Sequence, residues 1–172
     1  MNDRQDRYFD LPDQAGFLES TGGWALLGAD ALSVREDVFV NEQNVPPEIE
    51  QDDFDVTCMH IVIYSRGAGH YPKAIATGRV VVQPFGEALT GPVARIGRLA
   101  VRKAFRGIGL GTHLLTTLIE QAESQGLNQF ELHSRVDAMP LYQRFGFLPS
   151  GPAFDEAGTP HILMVRSARS TD

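Results

Sequence analysis

The chain of 172 residues has one cysteine, Cys58, and one tryptophan, Trp24. A single thiol cannot close an internal disulfide, so the sequence points to a reducing compartment, the cytoplasm. Cys58 also stands in an apolar run, which suits a buried, inert thiol better than a nucleophile. Positive charge is scarce: 15 Lys and Arg against 22 Asp and Glu leave a formal net charge of -7. That balance argues against a nucleic-acid partner, which calls for a basic stripe. It leans weakly toward a cationic or amine-bearing partner. No run approaches the roughly 18 apolar residues of a membrane span, and no membrane partner is expected. The opening MNDRQDRYFD has no signal-peptide core. The five histidines show no metal-ligand spacing with Cys58, so no metal is expected. There is no internal repeat, no low-complexity segment and no Gly-Lys-Ser/Thr, which disfavours a P-loop nucleotidase.

What is present centres on Arg106-Gly107-Ile108-Gly109-Leu110-Gly111-Thr112. An apolar, strand-like run from Ile96 to Val101 leads into it, and a helical pattern from Thr112 to Glu123 leads out. Closely spaced glycines let the backbone turn tightly and approach a ligand without a Cβ in the way. A helix N-terminus offers unpaired N–H groups and about half a positive charge, which suits a phosphate. Arg106 adds a permanent forked donor. A dinucleotide-dependent oxidoreductase using Gly107-Ile108-Gly109 fits poorly. Position 112 is Thr where the third glycine belongs, and the motif lies late in the chain.

Arg-x-x-Gly-x-Gly between strand and helix resembles the acyl-CoA pyrophosphate loop of the GNAT N-acetyltransferases. IGRLAVRKAFRGIGLGTHLL, followed about 30 residues later by LYQRFGF, has the order and spacing of that family's central half. VREDVFVNEQNVPPEIEQDDFD and GPAFDEAGTPHILM are similar to a subgroup of small bacterial members. The resemblance covers most of residues 33–165. It implies an α/β fold: a twisted mixed sheet of six or seven strands, helices on both faces, and a parallel strand pair splayed to admit the pantetheine arm. It further implies acetyl-CoA as acyl donor and a primary amine as acceptor, a small molecule or a peptide N-terminus or lysine. Attack would be direct, in a ternary complex. The competing reading is a CoA-binding module without transfer. Small members often pair, so a homodimer is an expectation of the resemblance alone.

The organisation expected is a flexible extension over 1–20, one domain over 21–166 and a disordered tail over 167–172. Trp24 to Leu27 reads as a first strand, and a helix follows from Ala29 until Pro46-Pro47 end it. Asn44 to Asp55 reads as an acidic loop, either a solvated surface or an attractor for an ammonium substrate. A calcium loop is disfavoured because the sixth-position glycine is missing. Cys58–Tyr64, Ala74–Val82 and Arg95–Val101 read as strands, with a hairpin loop over 65–72 and a break between Pro84 and Pro92. Gly97 suggests a bulge or a close backbone approach. Leu114, Leu115, Leu118, Ile119 and Ala122 share one helical face, and Gly126 follows as its C′ residue. Phe130 and Leu132 mark a short strand in parallel crossover with the Ile96 strand. Asp137 is placed to cap a short helix whose first turn admits Pro140, and Gly146 ends it. Phe147-Leu148 and Ile162–Val165 begin and close the last hairpin.

The reaction that the resemblance implies is attack of a neutral amine on a thioester. A lysine-type ammonium, with pKa about 10.4, must first lose a proton, and an α-amine near 8 needs less help. The departing thiolate must gain one. Tyr142, in PLYQRFGF, matches the family's general-acid tyrosine, although its spacing also suits plain packing beside Leu141 and Phe145. Glu42, in VFVNEQ, is the candidate base, with a helix-end surface carboxylate as the alternative. His133 and His161 are further candidates, though each sits among apolar strand residues. The resemblance assigns the donor site to Leu99, Ala100 and Val101 on the strand and to Arg106, Gly107, Ile108, Gly109, Leu110, Gly111 and Thr112 in the loop. Arg135 departs from the Asn or Gln of many relatives, and its contact with CoA is an open expectation. Arg98, Arg102 and Lys103 are further cations near the loop.

Overall fold

The computed structural model describes residues 3–12, 14–66 and 73–167. Its eight strands form one mixed sheet with neighbour order β1-β2-β3-β4-β5-β6-β8-β7. The chain divides into two compact units. The first comprises residues 1–80 and 98–118, and the second comprises residues 81–97 and 119–172. The central strands β4 (Lys73–Gln83) and β5 (Val93–Val101), and helix α3 (Leu110–Ser124), each run from one unit into the other. The hairpin loop expected over 65–72 falls mostly outside the described residues, as does most of the tail after Arg166.

In the first unit, β1 (Gln5–Leu11) and β2 (Gln14–Gly22) form an antiparallel pair, and β2 pairs with β3 (Met59–Ser65). This replaces the flexible extension expected over 1–20 and raises the strand count from six or seven to eight. The hairpin is anchored through Phe9, whose ring stacks at 3.8 Å on His113 of α3. It is also anchored through the buried Glu19, whose carboxylate accepts from Thr117 Oγ1 at 2.9 Å and pairs with His113 and Arg7. Trp24–Leu27 is helical, not a strand: α1 spans Trp24–Arg35. Its buried residues Leu27, Ala31 and Val34, continued by Val38, recur at helical spacing on one face. A four-residue apolar run could not distinguish helix from strand, whereas the longer period does. A π-helix, Glu36–Glu42, continues α1, and the short α2 spans Pro47–Glu50. Leu18, Leu27, Val34, Val62 and Tyr64 pack with Ala100 into the core of this unit, each large aliphatic contributing roughly 1.5–3 kcal/mol on burial. Gly78 of β4 leaves room for Leu118 of α3, which a Cβ would meet at 2.8 Å.

In the second unit, β5 pairs in parallel with β6 (Gln129–Arg135) at Ala94↔Phe130 and Arg95↔Glu131. β6 pairs with β8 (Thr159–Ser167), and β8 pairs with β7 (Leu148–Glu156), both antiparallel. α3 ends in hydrogen bonds from Gly126 N–H to Glu123 O at 2.9 Å and from Leu127 N–H to Ala122 O at 3.1 Å, the pattern expected with Gly126 at C′. α4 is Met139–Gln143 and carries Pro140 in its first turn. Asp137 does not cap it. Its carboxylate instead accepts from Arg135 at 2.8 and 3.1 Å. The fully buried Glu131 carboxylate accepts three amides, those of Glu87, Ala88 and Leu89, at 2.7–3.0 Å, and so fixes the segment after β4.

Candidate active site

The loop belongs wholly to the first unit. β5 ends at Val101, Arg102 N–H bonds Ile75 O of β4 at 2.9 Å, and a 3₁₀ turn over Lys103–Phe105 delivers the chain to Arg106. Gly107 and Gly109 then take φ of 82° and 98°. A residue with a side chain would pay about 1–2 kcal/mol at each such position, which is why glycine stands there. A Cβ added at Gly107 or Gly111 would meet nothing within 4 Å, so the space over the loop is open. None of the amides from Gly107 to Thr112 makes a hydrogen bond to an acceptor among the described residues. The ladder resumes with His113 N–H to Gly109 O at 2.9 Å. Six successive donors at the head of a 15-residue helix make a cradle of the kind that suits an anion.

Arg106 stands beside that cradle. Its Nε donates to Val101 O at 2.8 Å, and its fork donates to both oxygens of Glu42 at 2.6 and 2.8 Å. The sequence proposed these two residues for separate tasks, phosphate binding and proton acceptance, and the structure joins them. Glu42 closes the π-helix and, with Asp37, Val38, Asn41, Arg102 and Lys103, lines an open cleft of about 330 Å³. Arg102 is not available to a phosphate: it donates to Ala74 O at 2.9 Å and Ser33 Oγ at 2.8 Å and pairs with Asp37. Lys103 is exposed at the cleft. Leu99, Ala100 and Val101 form the end of β5 leading into the loop, with Ala100 buried.

The acidic segment is a solvated surface only in part: Glu48 and Asp53 are exposed, Asp52 is half-buried, and the other two acids turn inward. Glu50 and Asp55 are buried, at 5% and 0% exposure. Arg35 donates to Asp55 at 2.8 and 3.0 Å and to Glu50, while Arg79 grips Asp55 at 2.6 Å and Asp52 at 2.5 and 2.6 Å. Burial alone would raise the Asp55 pKa. The hydrogen bonds and charge of Arg35, then of Arg79, outweigh it and hold the carboxyl at about 2. Arg98 joins the cluster from β5, donating to Glu50 O at 2.9 Å, so it too is occupied internally. Next to Gly97, it is Arg98 that takes the left-handed conformation, with φ of 53°. Asp55, Cys58 and His60 lie close together, but the Asp55 oxygens are spent on the two arginines. Burial pushes the Cys58 thiol up to about 11 and lowers the His60 pKa. The trio therefore reads as core structure, not as a nucleophile or a metal centre. Its sequence signal was available: Arg35 and Arg79 each interrupt an apolar pattern, and a charge placed so must find a partner.

In the second unit, Tyr142 is 9% exposed, with its ring 6.2 Å from that of Phe147. Burial pushes its phenol up to about 12, so it stays protonated at neutral pH. Arg135 is held by Asp137, as described. His133 contacts Arg95 at 2.8 Å and Glu87 at 3.0 Å, and His161 contacts Thr159 O at 2.8 Å, so both rings are engaged in local structure.

The family model of the acetyltransferase (GNAT) domain matches residues 67–168. This chain belongs to the GNAT acetyltransferases. YjcF of Bacillus subtilis, an uncharacterized N-acetyltransferase, is 33% identical over 138 residues, covering 80% of this chain and 90% of its own. An acyl-CoA N-acyltransferase from Pseudomonas aeruginosa superposes with a TM-score of 0.72 at 27% identity, over 87% of this chain and 98% of that one. A GNAT acetyltransferase from Elizabethkingia anophelis with acetyl-CoA bound shares the fold at a TM-score of 0.57 and 17% identity, over 77% of this chain and 89% of that one. This GNAT domain is accordingly an acyl-CoA-dependent N-acyltransferase. No helix among the described residues is long and apolar enough to cross a membrane.

Proposed function

We propose that this GNAT domain moves the acetyl group of acetyl-CoA to a primary amine by direct attack, without a covalent enzyme intermediate. The observation that carries the donor half is the run of unpaired amides from Gly107 to Thr112 under an open surface. Those donors, with the helix dipole of α3, take the diphosphate, and Arg106 supplies the fork at its side. Leu99, Ala100 and Val101 offer strand backbone to the pantetheine amides, as the family pattern implies. Arg135 remains a proposed further contact to CoA, one that requires it to leave Asp137.

The neutral amine nitrogen attacks the thioester carbonyl carbon, the C–S bond breaks, and the sulfur leaves as thiolate. The second proton, which the nitrogen loses as the amide forms, balances the one that the thiolate gains. Glu42, directly or through water, receives the proton that the ammonium must shed. Tyr142 is assigned to the departing sulfur. From a phenol at about 12 to a thiolate whose thiol resembles cysteine near 8.5, complete transfer is uphill by about 5 kcal/mol. Tyr142 therefore acts as a hydrogen-bond donor whose proton moves only as the C–S bond opens.

Thermal unfolding with acetyl-CoA, CoA and NAD side by side tests the donor: the two coenzyme A ligands should raise the midpoint and NAD should not. Thiol release on adding a panel of small amines and peptides then tests transfer. Tyr142→Phe should slow that release at least tenfold while leaving the CoA dissociation constant within twofold. A chain that binds CoA but releases no thiol with any amine is a binding module, and the transfer reading is then wrong.

A further inference from the structure

Arg106 turns the forked edge of its two terminal nitrogens to Glu42, so a phosphate can take that edge only by displacing the carboxylate. The pair is closed at 2.6 and 2.8 Å, with the two side chains 39% and 37% exposed. A carboxylate and a phosphate present the same pair of oxygens to a guanidinium. We infer that the Glu42–Arg106 pair is a clasp opened by the acyl donor: the diphosphate takes the Arg106 fork, and the Glu42 carboxylate is released into the cleft that it lines with Asp37 and Asn41. This inference rests on the reading of the loop as a diphosphate site.

The balance favours exchange. An ion pair this exposed to water amounts to no more than about a fivefold preference. An arriving diphosphate brings more charge than a carboxylate and gains six backbone donors that Glu42 leaves unused. Arg106 need not travel far to change partners, because its Nε stays anchored on Val101 O at 2.8 Å. In the cleft, Asp37 is already neutralised by Arg102, so the released Glu42 is the carboxylate that a cationic amine meets there. Before the donor binds, that carboxylate is turned to Arg106. Donor binding thus raises the share of time that this carboxylate faces the cleft, by no more than about the same fivefold.

Calorimetric titration of the full chain tests the clasp, with CoA, inorganic pyrophosphate and pantetheine as probes on the unaltered protein, Glu42→Gln, Arg106→Gln and the double variant. Glu42→Gln should bind CoA and pyrophosphate about three- to fivefold more tightly and leave any pantetheine binding unchanged. Arg106→Gln should weaken CoA about tenfold. Adding Glu42→Gln to Arg106→Gln should then change CoA affinity less than twofold, because the two act through one contact. Both positions are on the surface, and matching thermal midpoints would show that the variants fold. Unchanged or weaker CoA binding by Glu42→Gln overturns the clasp while leaving the donor site standing. Equal tightening in the Arg106→Gln background also overturns it, because the effect would then be general repulsion. Absence of CoA binding in the unaltered protein removes the clasp and the donor site together.

Discussion

Asp55→Asn is the sharpest test of how the first unit is held. The side chain keeps its shape but loses the charge that faces both Arg35 and Arg79 at 2.6–3.0 Å in a fully buried position. One new amide N–H would also point at guanidinium donors. Removing one partner from a buried ion pair costs about 3–5 kcal/mol. Here Glu50 still compensates Arg35 and Asp52 still compensates Arg79, so the low end, about 3 kcal/mol, is expected. For a chain of this size that is a fall in midpoint of about 6–12 °C. The carboxyl titrates at about 2 in the fold against 3.8 when unperturbed, so its charged form adds stability in full above pH 4 and loses it as pH falls toward 2. That contribution is on the order of 2 kcal/mol at neutral pH and about half as much at pH 3. Urea unfolding followed by Trp24, whose ring lies 5.8 Å from the Arg35 guanidinium, should therefore show the gap between parent and variant narrowing by about 1 kcal/mol between pH 6 and pH 3. A loss below 1 kcal/mol at pH 7, or a gap that does not change with pH, refutes the account of this cluster.

Gly107→Ala should lower stability by about 1–2 kcal/mol, because φ of 82° is strained for alanine. Its Cβ enters the open space over the loop, so isothermal titration should also show CoA affinity falling about tenfold. Gly86→Ala places a Cβ 2.3 Å from the Glu131 carboxylate, so chemical denaturation should show a loss of about 2 kcal/mol as the amides of Glu87–Leu89 lose their acceptor. The buried Cys58 thiol, at about 11, should react with a disulfide reagent at neutral pH only at the rate of unfolding. Fast labelling of the native protein would contradict its burial.

The glycine turn and the helix after it were legible because their demands are local. Glycines at positive φ, an arginine and a helix start all lie within seven residues. The apolar face of α3 and the strands β3 and β4 were legible by period and run length. The hairpin β1–β2 was not, because β1 is largely exposed on both faces and shows no alternation. Trp24–Leu27 failed because four apolar residues fit either element. The inward half of the acidic segment was legible only in part: Arg35 and Arg79 each interrupt an apolar pattern and so need partners, but Asp55 lies 20 and 24 residues away, and no local pattern says which acid they take. The Glu42–Arg106 contact spans 64 residues. Sequence therefore named both of its members but not their union.

The two compact units are interleaved along the chain, and this limits how the protein can be divided. A fragment stopping at residue 80 would keep the arginine–carboxylate cluster and lose the glycine turn, since residues 98–118 return to the first unit only after 81–97 have been made. Ribosomal synthesis therefore reaches residue 118 before the first unit is even chemically complete. Any split reporter or domain graft that seeks the first unit alone must carry the intervening segment or bridge it with a linker.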